Sequence, residues 1–275
     1  MKLPVYIFLL MSSLFISYGQ EQTIDEYSKS SCYVEALKNN KPIWHASGFF
    51  VFVNSKVFFI TNNHVVGGEF HIKEYKQKFN KNPPKDSLPN ELIVRLYKKS
   101  LFEYKGLIIN LFKNETKNWI EFWKDEKNKK DLLDIVAIEI PLVNIGSALE
   151  NTTVLRKEDM KPNLKLMPST ELYIVGFPHG YAQIIYPIWK RGTIATDPSV
   201  KNSESPSFLI DATTRGGMSG SPVFYRNYHW EGKDSTWGNG FTYTFLVGIY
   251  NSQNYDLELG GVYKLEAIFE KLEKL

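Results

Sequence analysis

Short runs of β-branched and aromatic residues recur along this chain, with polar turns between them, and this constrains the fold more than any other feature. Ser47–Val53 and Lys56–Thr61 flank Asn54-Ser55 and read as a hairpin. Further strands are expected at Leu92–Tyr97, Gly106–Asn110, Ile135–Ile140, Leu172–Phe177, Ile184–Ile188, Phe208–Ala212, Ser221–Phe224, Phe241–Tyr250 and Gly261–Tyr263. Many short strands joined by polar turns predict an all-β barrel or sandwich. Lys76–Pro89 holds Pro83, Pro84 and Pro89 and is expected as loop rather than helix. Asn114–Lys130 reads as a charged, partly packed loop, and Tyr225–Asn239 as a long hairpin insertion. The exception to the β pattern lies at the end. Leu265, Ile268, Phe269 and Leu272 fall at i, i+3, i+4 and i+7, which predicts a terminal amphipathic helix. Asn144–Pro168 is the expected join between two halves.

The chain has 275 residues, 43% of them hydrophobic, enough for a substantial core without cross-links. Cross-links within the chain are excluded, because Cys32 is the single cysteine. It falls on the first expected strand and reads as a buried structural thiol. Formal net charge is +3, with lysines scattered through polar stretches, which gives no footprint for nucleic acid. Lys2, the mainly apolar run Val5–Ile16 and Ser17-Tyr18-Gly19 form an export signal, with cleavage expected before Gln20. The run is too short to span a bilayer, which takes ~20 apolar residues. Residues 1–19 are thus expected as a signal peptide, and the mature chain as secreted or periplasmic with no membrane segment. His45, His71 and His229 have no metal-ligand spacing with one another or with Cys32, so neither a metal nor a cofactor is expected.

Three local patterns carry chemistry. In Phe59-Ile60-Thr61-Asn62-Asn63-His64-Val65-Val66 a strand runs into a polar turn that presents His64, a proton shuttle suited to neutral pH. In Asp134-Ile135-Val136-Ala137-Ile138-Glu139-Ile140 an acid heads an apolar strand; Asp131 is its competitor and reads as a solvated loop charge. In Thr213-Thr214-Arg215-Gly216-Gly217-Met218-Ser219-Gly220-Ser221-Pro222-Val223-Phe224 the glycines allow a sharp turn that exposes Ser219. Such a turn can aim the N–H groups of Gly217 and Ser219 at one point, where an oxyanion would form. A serine needs a base to take its proton, and the base needs a third group to hold its tautomer. His64, Asp134 and Ser219 supply all three, in that chain order.

At these residues the chain resembles the trypsin-like (chymotrypsin-fold) serine peptidases of the bacterial branch. Ser47-Gly48-Phe49, Thr61–Val66 and Val175-Gly176-Phe177-Pro178 carry the likeness, with Gly261-Val262-Tyr263 before the terminal helix. Thr213-Thr214 with Gly217–Val223 is similar to the nucleophile loop of glutamyl endopeptidases. The resemblance implies two six-stranded barrels with the catalytic residues in the cleft between them. They are expected at about 30–142 and 168–264, followed by the helix at 265–275, all within a peptidase domain of 20–275. It implies protein or peptide substrates and places Thr213, Thr214, Tyr250 and Asn251 in the substrate pocket. Tyr250 stands near where glutamyl enzymes carry a histidine, so glutamate specificity is not implied. Thr213 stands where an aspartate would select Lys or Arg. Met218 replaces the family's usual Asn or Asp before the serine; an Asp there pairs with a new N-terminus after zymogen cleavage, so no such activation is expected. No PDZ domain is expected after the terminal helix. The competing reading is a protease fold that docks peptides without cutting them.

Overall fold

The computed structural model describes residues 24–84, 87–98, 103–161, 163–180, 186–200, 207–229, 241–254 and 256–275. The expected signal peptide at 1–19 lies outside them, as does most of the tip of the expected 225–239 insertion.

The first half contains β1 (Ser31–Lys38), β2 (Lys41–Val53), β3 (Lys56–Thr61), β4 (Glu91–Tyr97), β5 (Tyr104–Asn110), β6 (Phe112–Lys113), β7 (Thr116–Lys117), β8 (Ile120–Asp125) and β9 (Lys130–Ile140). Seven of these form one antiparallel sheet in the order β5-β4-β1-β2-β3-β9-β8. The sheet is rolled: Ile109 on β5 and Ile138 on β9 pack in the same core as Val34, Phe50, Phe59 and Val94. The second half is a closed six-stranded barrel, β10-β11-β12-β15-β14-β13. Its strands are β10 (Glu171–Gly176), β11 (Ile188–Ile194), β12 (Ser207–Asp211), β13 (Pro222–His229), β14 (Phe241–Asn254) and β15 (Leu259–Lys264). The expected all-β, two-barrel fold is therefore present, with its terminal helix.

The strand runs are apolar throughout because both faces are buried. Side chains alternate across a strand. Phe50 and Phe59, partners in the β2–β3 ladder, face the first core. Phe49, Phe58 and Ile60 turn the other way, into a second core shared by the two halves. There they meet Val175, Phe224 and Ile249 of the barrel. Between the halves runs a connection with a short helix, α2 (Leu142–Ile145). The C-terminal helix, α3 (Glu266–Leu272), buries Ile268, Phe269 and Leu272 in the same shared core, beside Leu265. It therefore packs against both halves through that core.

Three local expectations differ from the structure. A helix, α1 (Glu69–Phe79), begins right after the His64 turn and takes in Lys76–Phe79, which the prolines had assigned to loop. The prolines come later, and the helix ends at Asn80 in the left-handed conformation, with its N–H on the Lys76 carbonyl. Ile120–Asp125 is a strand rather than loop, held by pairing along β9. The strand expected at Ile184–Ile188 instead runs Ile188–Ile194, and positions 184 and 185 lie outside the described residues.

Candidate active site

The His64 turn is built by burial on either side of one exposed ring. Asn62 and Asn63 are fully buried, and Val65 and Val66 insert in the first core. The Asn63 side-chain oxygen accepts the Phe70 N–H (2.8 Å) and thereby starts α1. The Trp44 indole N–H donates to the Val65 carbonyl (2.9 Å). Between these anchors the His64 side chain stays 25% exposed.

Asp134 grips His64 at two points. Its Oδ1 accepts the His64 backbone N–H (2.9 Å), and its Oδ2 meets the ring Nδ1 (2.7 Å). The carboxylate is 1% exposed. Its backbone is fixed as well: the Asn62 amide donates to the Asp134 carbonyl (2.6 Å), and the Asp134 backbone meets the Tyr263 hydroxyl, which also meets Asn251. Burial, with the charge of Asp134, pushes that phenol up to about 12. Asp131 lies exposed at the start of β9 with a left-handed φ of 57°. Packing around the His64 ring opposes its charging. The charge and hydrogen bond of Asp134, with a smaller contribution from Glu74 on α1, outweigh this and raise its pKa above the usual imidazole value.

Ser219 sits in a turn whose hydrogen bonds can be followed group by group. The carbonyls of Gly216, Gly217, Met218 and Ser219 all point into the protein. They accept from the His179 N–H (2.6 Å), the Ser47 hydroxyl (2.8 Å), the Ser221 N–H (3.0 Å) and the Ser47 N–H (2.8 Å) in turn. The N–H groups of Met218 and Gly220 donate to Arg215 (3.3 Å) and Tyr250 (2.9 Å) carbonyls. From Gly217 to Ser221, the N–H groups left without a protein acceptor among the described residues are those of Gly217 and Ser219. Each of these two N–H groups points opposite to the inward-turned carbonyl of its own peptide, that of Gly216 and of Met218 respectively. Gly217 reaches this geometry at φ 96° and Gly220 at φ 84°. A Cβ on Gly220 would stand 2.1 Å from the Ser47 carbonyl oxygen and 2.6 Å from the Thr61 hydroxyl. Gly220→Ala is therefore expected to cost at least about 2 kcal/mol, adding overlap to left-handed strain, read as an earlier urea midpoint.

Thr61, three residues before His64, thus lies against the residue after Ser219, which sets the Ser219 turn against the strand that leads to the histidine. No hydrogen bond joins the Ser219 hydroxyl to the His64 ring among the described residues in this conformation. Such bonds commonly tighten once substrate binds.

The four expected pocket residues do not share one wall. Thr213 and Thr214 line a cavity of about 310 Å³ with Pro178, His179, Ile188, Lys190, Arg215 and Met218. Tyr250 is buried in the barrel core, and its hydroxyl bonds to the Thr214 hydroxyl. Asn251 turns instead toward Tyr263. Cys32 is fully buried in the first core, where burial pushes its thiol far up, away from the reactive thiolate. Among the described residues no three His, Cys, Asp or Glu side chains gather as a metal site would require. Sequence reasoning missed Ser47, the His179 N–H, Asn62 and Tyr263. All act on backbone groups, which residue types do not advertise; the Ser47-Gly48 and Gly261-Val262-Tyr263 motifs were the available signals.

A search of curated proteins by sequence finds no match. Among solved structures, the chain is similar to the serine endoprotease from Yersinia pestis, at 14% identity over 92% of this chain and 68% of that one, TM-score 0.49. It is also similar to the thermostable serine protease AL20 from an extremophilic microorganism, at 13% identity over 90% and 97%, TM-score 0.49. A Glu endopeptidase matches at 13% identity over 92% and 93%, TM-score 0.45. The family model described as a trypsin-like peptidase domain matches residues 46–231, well over half of the chain and the span that carries both the histidine and the serine turns. The chain belongs to the trypsin-like peptidases, a family of serine endopeptidases acting on proteins and peptides.

Proposed function

We propose that this chain cuts peptide bonds through Ser219, with His64 as general base, Asp134 orienting the base, and the Gly217 and Ser219 N–H groups as the oxyanion hole. The observation that carries this reading is the turn's hydrogen-bond pattern, which among the described residues leaves those two N–H groups unpaired beside the serine. In the first step the Ser219 oxygen attacks the scissile carbonyl carbon while His64 Nε2 takes the hydroxyl proton. Charge moves to the carbonyl oxygen, where each fixed N–H donor is worth about 3 kcal/mol of transition-state stabilisation. The imidazolium returns its proton to the departing amine, leaving an acyl-enzyme on Ser219. Water, deprotonated by His64, then releases the acid and restores the serine. Asp134 accepts the Nδ1–H throughout, so that Nε2 is free to take the serine proton.

The same reading fixes the pH dependence. The working base is neutral His64, so activity is lost as pH falls through its pKa. That pKa is raised, so the acidic limb of the rate profile is expected above the ~6.5 of a free imidazole. A limb at or below the free value, measured on a fluorescent casein, would contradict the proposed base. The primary pocket is proposed at the cavity lined by Thr213 and Thr214, with Tyr250 bonded to Thr214 behind it and Asn251 turned away toward Tyr263, and with the barrels at about 30–142 and 168–264. Export is proposed from the apolar leader at 1–19, with the mature enzyme secreted or periplasmic. No helix among the described residues is long and apolar enough to cross a membrane. Immunoblotting of cell and medium fractions, with N-terminal sequencing of the mature chain, tests the export proposal.

A further inference from the structure

We propose that Ser47 is a positioning residue for catalysis, setting the oxyanion turn from the opposite half of the molecule; this rests on the assignment of Ser219 and the Gly217 and Ser219 N–H groups above. Ser47 lies on β2, fully buried. Every polar group it owns is engaged at the junction of the two halves. Its N–H donates to the Ser219 carbonyl (2.8 Å), and its hydroxyl donates to the Gly217 carbonyl (2.8 Å). The same hydroxyl accepts the Phe177 N–H (3.1 Å) at the end of β10. Its carbonyl accepts the Thr61 hydroxyl (2.9 Å).

The two bonds to the turn hold the Gly217–Met218 and Ser219–Gly220 peptides. Between them lies the Met218–Ser219 peptide, which carries one of the two donor N–H groups. Since each peptide is a rigid plane, holding the planes on both sides leaves the middle one little freedom to rotate. No charge pair performs this task at position 218, because Met218 is apolar and buried in the barrel core. Ser47 also sits one strand from β3, whose last residue, Thr61, precedes His64 by three positions. It thereby ties the nucleophile turn to the strand pair that carries the base. The site is tight: a Cβ on Gly176 would come within 2.8 Å of the Ser47 hydroxyl oxygen. Removing the hydroxyl leaves the Gly217 carbonyl and the Phe177 N–H without partners in a buried place, and the turn gains a way to relieve this by rotating its peptides.

The test is the rate at which a fluorophosphonate probe labels Ser219, a reaction that builds a tetrahedral centre with its oxygen in the same hole. Ser47→Ala is expected to slow the limiting labelling rate about ten- to a hundredfold, somewhat less than outright loss of a donor, with half-saturation of the probe little changed. Val94→Ala, a cavity in the first core away from the turn, serves as the comparison for lost stability alone and is expected to label at the wild-type rate. Labelling of Ser47→Ala within twofold of wild type, or slowing matched by Val94→Ala at equal loss of melting temperature, would overturn the proposal. Failure of the wild type itself to label would instead sink the proposed function.

Discussion

Replacing Ser219 by alanine is expected to lower turnover by about six orders of magnitude, the scale seen when the nucleophile of a serine triad is removed. Neither neighbouring hydroxyl, Thr61 nor Ser221, can take its place. Thr61 donates its own to the Ser47 carbonyl (2.9 Å). The Ser221 oxygen is buried and would stand 1.9 Å from a Cβ on Gly176, so it faces the interior rather than the cleft. What survives should be a small rate above background from the oxyanion turn and substrate binding. Stability should hardly change, because the Ser219 hydroxyl makes no hydrogen bond within the protein among the described residues. A melting curve with a casein assay checks both halves of this expectation. Activity near wild type in Ser219→Ala would refute the nucleophile.

Asp134→Asn is expected to cost about four orders of magnitude at neutral pH with little change in backbone geometry. The two-point grip explains why so small a change is so damaging. The His64 backbone N–H, 2.9 Å from Oδ1, requires an acceptor and so fixes the asparagine with its oxygen on that side. The asparagine NH₂ then faces Nδ1, 2.7 Å from the present Oδ2. Nδ1 must become an acceptor, the ring proton moves to Nε2, and the atom that should take the serine proton already carries one. Loss of the carboxylate charge also removes what raises the His64 pKa. Asp131→Asn, at an exposed site, is expected to stay within twofold of wild type. The opposite ranking of these two variants in a steady-state assay would move the acid away from Asp134.

What the sequence made legible follows from burial. Phe49-Phe50 and Phe58-Phe59 announce strands because both faces of β2 and β3 are buried, one against each core. The terminal helix was legible for a similar reason, since Ile268, Phe269 and Leu272 all enter the shared core. The helix α1 was not, because none of its residues is buried and its one periodic cue, the aromatic series His71, Tyr75 and Phe79, lies outside the core. β11 was misplaced because Lys190, Arg191 and Thr193 break its apolar pattern and only Gly192 and Ile194 of its residues are buried, which masks a barrel strand. At the proposed site, residue type and order pointed to His64, Asp134 and Ser219, since each proposed task is tied to a side chain. The supports of these residues were hidden. Ser47 reaches Gly217 across 170 positions of sequence, and His179 acts through its backbone N–H, held at a left-handed φ of 55°. No local pattern encodes a partner at that separation.

Ser219 is proposed as a nucleophile activated by His64 and Asp134 beside an oxyanion hole. Mass spectrometry of the purified protein after fluorophosphonate treatment tests it most directly. The account predicts one added phosphonate per chain, on the peptide bearing Ser219, absent in Ser219→Ala and strongly slowed in Asp134→Asn. An unlabelled wild-type chain, or a label carried by any other residue, would contradict it.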